Sequence, residues 1–215
     1  MALMKKQKVD DILEFLRRSK NLQSVNRYGA SMRGEQNTVA EHSWRLALMA
    51  MVIGAECKVE VDMHRTLMLA LIHDLAEATT GDLDAYALIN GGRKLREAKA
   101  ADEETAVRDM TDDLSFGDSI YALWQEYEDQ TTLEAKFIKA LDRIEGYLHI
   151  AESGVEAYIP DEFHADYATK AVAAFDEVTN NFPGLTDLLD AIKTDLQSKF
   201  EKAGVKWIDQ TPVAG

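Results

Sequence analysis

The sequence predicts an all-α fold, a single-domain helical bundle, and three observations carry that prediction. No proline precedes Pro160, and the 215 residues hold only three. The long proline-free stretch is rich in Ala, Leu, Met, Glu and Lys, the residues with the highest helix propensity. Apolar residues recur at three- and four-residue spacing, while the period-two alternation of β-branched residues that marks strands is missing.

Val9, Ile12, Leu13 and Leu16 share one face of a first amphipathic helix. Residues 20 to 37 lose that periodicity and read as a polar loop containing Gly29 and Gly34. Thr38-Val-Ala-Glu41 is a capping box that opens a second helix to about Cys57. A third begins near Asp62 and runs through Leu67, Leu71 and Ile72 to about Thr79, with Gly81 as its stop. After the Gly91-Gly92 break a charged helix covers Arg93 to about Thr111, and a shorter one Ser115 to Asp129. Thr131-Thr-Leu-Glu134 repeats the capping-box pattern ahead of a helix carrying Phe137, Ile138, Leu141, Ile144 and Leu148. Two more helices, about 161–180 and 184–203, flank the Pro183-Gly184 turn. No linker separates domains, so residues 1–204 form one domain and 205–215 a tail that is either anchored by Trp207 or frayed.

Composition narrows the function. Thirty-eight acidic against 24 basic residues give a net charge of −14. That balance argues against a polymeric nucleic acid or an anionic membrane as partner, because phosphate backbones are bound by clustered Lys and Arg. The one cysteine, Cys57, excludes a disulfide framework within the chain and a cysteine zinc knuckle. No apolar run is long enough to span a bilayer. The opening Met1-Ala-Leu-Met-Lys-Lys lacks a signal peptide's apolar core, so a cytoplasmic location is expected.

The chemistry concentrates in a few polar residues on apolar helices. His73-Asp74 directly follows Leu67-Met-Leu-Ala-Leu-Ile72, and Asp142 interrupts Ile138-Lys-Ala-Leu141 and Ile144. A buried imidazole or carboxylate costs several kcal/mol unless it finds a partner, and a divalent cation would satisfy several at once. His42, His73, Asp74 and Asp142 would bring two imidazoles and two carboxylates from three helices. That mixture suits Mn²⁺, Fe²⁺, Co²⁺, Ni²⁺ or Zn²⁺ better than Ca²⁺, which takes oxygen alone. Glu77, four residues after His73 and three after Asp74, projects from the same face. Asp82 follows just past Gly81.

The order His…His-Asp…Asp on an all-α chain resembles the HD-domain superfamily of metal-dependent phosphohydrolases. Four local strings resemble its 5′-deoxynucleotidase branch: Ser24-Val-Asn-Arg-Tyr-Gly29, Val39-Ala-Glu-His-Ser-Trp44, Leu71-Ile-His-Asp-Leu-Ala-Glu77 with Thr80-Gly-Asp82, and Lys139-Ala-Leu-Asp-Arg-Ile-Glu145. The likeness covers about residues 8–155. It implies an HD-domain helical bundle in which His42, His73, Asp74 and Asp142 hold one divalent ion, Mn, Co, Fe, Ni, Zn or Mg. Arg27 would face the substrate phosphate, where its fork of donors is more directional than a lysine. Glu77 and Asp82 would line the reacting side, Glu77 as proton carrier, or together hold a second ion. Some bacterial members place Trp after this arginine, where it helps exclude a 2′-hydroxyl; here Tyr28 stands there, which leaves the ribose-versus-deoxyribose choice open. The implied reaction removes phosphate from deoxyribonucleoside 5′-monophosphates, in a homodimer.

Two rival readings remain at this level. One keeps fold and metal but hydrolyses another small phosphoester: a nucleoside triphosphate, a cyclic nucleotide or guanosine tetraphosphate. The other is a non-catalytic helical module with a structural metal. A structural site is closed, whereas a catalytic one keeps an open position. Leu185, Leu188, Leu189, Ile192 and Leu196 either pack on the core or mediate the dimer. His149, seven residues after Asp142, is a core or rim histidine; His64 and His164 are placed at the surface, and Arg45 is either next to the metal ligands or in an ion pair.

Overall fold

The computed structural model of the chain describes residues 5–27, 37–83, 85–154, 164–204 and 207, with backbone alone at 85–91, 164–168, 170 and 171. Nine α-helices follow in order among them: α1 (Lys6–Ser19), α2 (Val39–Glu56), α3 (Met63–Ile72), α4 (Glu77–Thr80), α5 (Ala85–Thr111), α6 (Gly117–Asp129), α7 (Leu133–Ser153), α8 (His164–Asn181) and α9 (Thr186–Lys202). Short 3₁₀ turns, Lys20–Gln23 and Pro183–Leu185, follow α1 and precede α9. No strand occurs among the described residues, as the missing alternation predicts.

The predicted punctuation is largely where the physics puts it. Thr38 caps α2 with the full reciprocal box: its side chain accepts from the Glu41 amide at 3.2 Å, and Glu41 accepts from the Thr38 amide at 2.7 Å. Gly81 ends α4 at φ +74°, and Gly92 breaks α5 at φ +63°, both conformations that disfavour a side chain. The cap of α7 shifts by one residue. Thr132, not Thr131, accepts the Ala135 amide at 3.2 Å, and Glu134 instead accepts the Asp62 amide at 2.8 Å, tying the starts of α3 and α7 together.

Helix α7 is the hub. Its Phe137, Ile138, Leu141 and Ile144 are fully buried, and α2, α3, α6, α8 and α9 all pack against it. Burying each such side chain stabilises the fold by about 1.5–3 kcal/mol. One apolar cluster runs from Leu46 and Leu69 through these residues to Leu185, Leu189, Leu196 and Phe200. Leu185, Leu189 and Leu196 are therefore buried in the chain's own core with Ile192 packed against it, while Leu188 is half-buried outside that cluster. Trp207 sets its ring edge on Phe200 at 5.4 Å, which favours the anchored arm at that residue.

One expectation about apolar faces is corrected. On α1, Val9, Leu13 and Leu16 are exposed, and the buried residue is Asp11. The helix docks by Phe15, which packs against Leu75, Ala78 and Met110, and by polar contacts: Asp11 accepts the Ser115 amide at 3.0 Å, and Arg18 grips Asp113 and the Met110 carbonyl at the end of α5. On α2, Trp44, Leu48, Met51 and Val52 form an exposed apolar stripe opposite the buried His42, Leu46 and Ala50.

Candidate active site

Three helices and one pinned loop deliver the polar residues. His42 lies in the first turn of α2, where its amide bonds the Thr38 carbonyl and its side chain enters the core. The chain just before α2 pairs with the loop after α1: Asn26 and Thr38 form an antiparallel bridge, with the Arg27 amide on the Asn37 carbonyl at 2.9 Å. That pairing carries Arg27 to Asp142 and Glu145 in the middle of α7. The predicted third helix tightens at His73, where α3 ends. The Leu75, Glu77 and Ala78 amides bond three residues back rather than four. Such a turn has about three residues per revolution and stacks positions i and i+3, which sets Glu77 over Asp74.

His42 and His73 converge, with their Nε2 atoms 3.2 Å apart. Asp142 Oδ1 lies 3.2 Å from His42 Nε2. Asp74 Oδ2 lies 3.0 Å from His73 Nε2 and 3.7 Å from His42 Nε2. One ligand atom each from His42, His73 and Asp142 falls within a 4.8 Å span. Neighbouring ligands on metal bonds of about 2.1 Å stand about 3.0–3.4 Å apart, so these spacings fit a first-row divalent ion.

The outer partners fit it too. His42 Nδ1 meets Glu145 Oε2 at 2.7 Å, and His73 Nδ1 meets the Ala70 carbonyl at 3.0 Å. Both partners accept, so each ring carries its proton on Nδ1 and turns an Nε2 lone pair inward. Two such lone pairs at 3.2 Å repel unless a proton or a cation stands between them. The field answers the same way: burial pulls the His42 imidazole down, but the Asp142 and Glu145 carboxylates overcome it and hold it up at about 9. Asp142 Oδ2 accepts from the Tyr127 hydroxyl at 3.2 Å, which leaves Oδ1 for the centre. Burial and the Asp142 and Asp74 carboxylates keep that hydroxyl protonated. Lys139 in turn bonds the Tyr127 oxygen at 3.0 Å.

Both imidazole side chains are fully buried, but Asp74 is 22% exposed and Asp142 20%. The cluster thus opens on its carboxylate side. Glu77 is buried with Oε2 lacking any hydrogen-bond partner among the described residues. Burial, Asp74 and Asp82 push its carboxyl up to about 10, against the opposing charges of Lys99 and Arg27. Lys99 Nζ stands 3.8 Å from Glu77 Oε1 and bonds Glu103. Arg27 lies 3.9 Å from Asp142 Oδ1 and 3.8 Å from Glu145 Oε2.

Seven of the eight sequence-predicted site residues therefore gather at one place, with Asp82 at its half-buried edge; the eighth, Tyr28, lies outside the described residues. His149 is buried but stands outside the His42, His73 and Asp142 group, and His64 is exposed; the side chain of His164 lies outside the described residues. Arg45 pairs with Glu152 at 2.7 and 2.8 Å. Sequence reasoning passed over Glu145, Tyr127, Lys99 and Lys139. Only Glu145 carried a local signal, its place one helical turn beyond Asp142.

An HD-domain family model matches residues 19–180. The human 5′-deoxynucleotidase HDDC2 is 37% identical over 145 residues, covering 66% of this chain and 67% of its own. Its Bos taurus counterpart is 35% identical over 156 residues, covering 71% and 72%. The crystal structure of a predicted metal-dependent phosphohydrolase from Magnetospirillum magnetotacticum MS-1 superposes with a TM-score of 0.68 at 23% identity, covering 95% of this chain and 98% of that one, a likeness of fold. A buried histidine pair with an open carboxylate side thus sits in a bundle of matching shape and matching sequence, and the chain belongs to the HD-domain family.

Proposed function

We propose that this protein is a metal-dependent 5′-deoxynucleotidase, releasing phosphate from deoxyribonucleoside 5′-monophosphates. The observation that carries the reading is the one-sided opening: both imidazoles are sealed, whereas Asp74 and Asp142 reach solvent beside Glu77 and Arg27. A closed structural site would bury its carboxylates as well. The relatives named 5′-deoxynucleotidase support the substrate class. His42, His73, Asp74 and Asp142 would hold the ion, and Glu77 with Asp82 would serve the reacting side or a second ion.

When bound, a divalent ion lowers the pKa of a coordinated water and offsets charge on phosphoryl oxygens. The residues divide the remaining work. Arg27, held by the Asn26–Thr38 bridge, presents a guanidinium to one phosphate group. Glu77, buried and half-partnered, handles the proton at Oε2. Lys99 faces Glu77 from α5 and limits the repulsion among Glu77, Asp74 and Asp82. A triphosphate would demand more than the Arg27, Lys99 and Lys139 cations that the described residues bring to the site.

We place the protein in the cytoplasm, where its one thiol, Cys57, stays reduced. We also propose a homodimer. Leu185, Leu189 and Leu196 are used in the chain's own core, so the face offered to a second copy is the stripe of Trp44, Leu48, Met51 and Val52, which carries no charge. A two-fold contact places one such stripe against its copy.

Phosphate release from deoxy- and ribonucleoside 5′-monophosphates, by metal-stripped protein titrated with Mn²⁺, Co²⁺, Zn²⁺ and Mg²⁺, tests the function. Restoration by a divalent ion, loss in Glu77→Ala and preference for the deoxynucleotides are expected. Tight binding of an ion without any phosphate release would overturn the reading in favour of another phosphoester or a structural site.

A further inference from the structure

Glu145 is a fully buried carboxylate outside the ligand set. Its position costs several kcal/mol unless partners compensate, and the partners are specific. Oε2 accepts the His42 Nδ1 proton at 2.7 Å. Arg27 Nη1 stands 3.8 Å from the same oxygen, and Arg45 Nε stands 3.7 Å from Oε1. Arg45 is committed to Glu152 through two hydrogen bonds, and Oε1 has no hydrogen-bond partner among the described residues. The one hydrogen bond Glu145 makes there is therefore to a proposed metal ligand, and its second neighbour on Oε2 is the arginine that faces substrate.

The spacing on α7 makes this possible. Asp142 and Glu145 are three residues apart, so one helix face offers both a carboxylate to the ion and a carboxylate to the histidine beside it. A carboxylate on the far nitrogen of a ligating histidine fixes the tautomer, orients the ring and raises its basicity. Arg27 spans both, at 3.9 Å from Asp142 Oδ1 and 3.8 Å from Glu145 Oε2.

We propose that Glu145 is the positioning residue that holds His42 in its metal-binding tautomer and joins it to Arg27, so that ion binding and phosphate binding reinforce one another. The proposal rests on the metal-site reading above. Coupling of this kind is reciprocal: whatever phosphate does for the ion, the ion does for phosphate.

The test uses Co²⁺ and inorganic phosphate on the full chain. Glu145→Gln keeps the size and an acceptor oxygen but removes the charge. It should bind Co²⁺ about 10–100-fold more weakly than wild type, with an altered Co²⁺ visible spectrum. Inorganic phosphate should tighten Co²⁺ binding in wild type and have less effect in the variant, while Glu145→Asp recovers part of the affinity. Glu152→Gln, which loosens Arg45 and leaves the His42–Glu145 bond in place, should bind Co²⁺ like wild type. A folded Glu145→Gln protein with Co²⁺ affinity within twofold of wild type would overturn the proposal. Nitrogen-15 NMR of the His42 ring in Zn²⁺-loaded wild type needs no variant to fold: a proton on Nδ1 supports the proposal, and one on Nε2 overturns it. Wild type that binds no divalent ion would overturn the site reading itself, and the role of Glu145 with it.

Discussion

Replacing Glu77 by glutamine should make the metal-stripped protein more stable and the metal-loaded protein inactive. Glu77 is 5% exposed, and its Oε2 has no hydrogen-bond partner among the described residues. Its nearest cation, Lys99, stands 3.8 Å away and is bonded to Glu103. A buried acceptor without a partner costs about 1–3 kcal/mol, and more when charged. With its carboxyl pushed up to about 10, Glu77 must take up a proton on folding at pH 7, which costs stability, and glutamine escapes that cost; with Lys99 offsetting part of it, the gain should be about 2 kcal/mol. For a chain of this length each kcal/mol moves the melting temperature by about 2–4 °C, which makes the expected rise about 4–8 °C. Scanning calorimetry in EDTA measures it. Phosphate release at saturating Mn²⁺ should meanwhile fall by about 10²–10⁴-fold, the range for loss of a proton-transfer group. Glu103→Gln is the control: its carboxylate is bonded to Lys99, so its loss should lower stability. An unchanged or lower melting temperature for Glu77→Gln, with Glu103→Gln behaving alike, would refute the argument. The Glu77 charge would then be compensated within the protein, and its poise for chemistry would be an illusion of burial.

Tyr127→Phe removes the hydroxyl that bonds Asp142 Oδ2 at 3.2 Å; Mn²⁺ affinity should fall about tenfold by titration calorimetry, with the fold retained. Glu126, gripped by Arg65 and bonded by Thr132 at 2.6 Å, has its carboxyl held below the usual 4.5, Arg65 acting against a smaller opposing effect of burial. A lowered carboxyl stabilises the fold above its unfolded pKa, and that contribution is lost as pH falls through the folded value. Glu126→Gln should therefore melt lower at pH 7, by about 1–2 kcal/mol since Arg65 is half exposed, and the gap should close between pH 5 and pH 3. Leu48→Glu combined with Met51→Glu places charge on the exposed α2 stripe and should sediment as a monomer at concentrations where wild type is dimeric; an unchanged sedimentation coefficient would move the dimer contact elsewhere.

What the sequence made legible is what local chemistry controls. The Thr38 box, the Gly81 stop and the Gly92 break are each decided within four residues, and each stands where it was expected. His42, His73 and Asp142 were legible because polar groups interrupt apolar helices, and burial of such groups demands a partner. What the periodicity could not show was direction. Val9, Leu13 and Leu16 keep a perfect helical stripe, yet α1 docks by Asp11, Phe15 and Arg18, because one buried carboxylate on the Ser115 amide, one ring against Met110 and Phe116 and one guanidinium at the end of α5 fix its rotation. The tightened turn at 73–76 was equally hidden, since nothing in His-Asp-Leu-Ala forbids a continuing helix, and the structure shows it beside the 3.2 Å approach of His73 to His42. Long-range pairs are the residue of the problem. Glu145 lies 103 positions from His42, and no local rule links them. The pairing is nonetheless constrained from both ends, because a histidine must commit one nitrogen to free the other and a buried carboxylate must find a proton to accept. A ligand histidine on one helix therefore implies an acceptor on another, and the turn that carries a ligand carboxylate is an economical place to look for it.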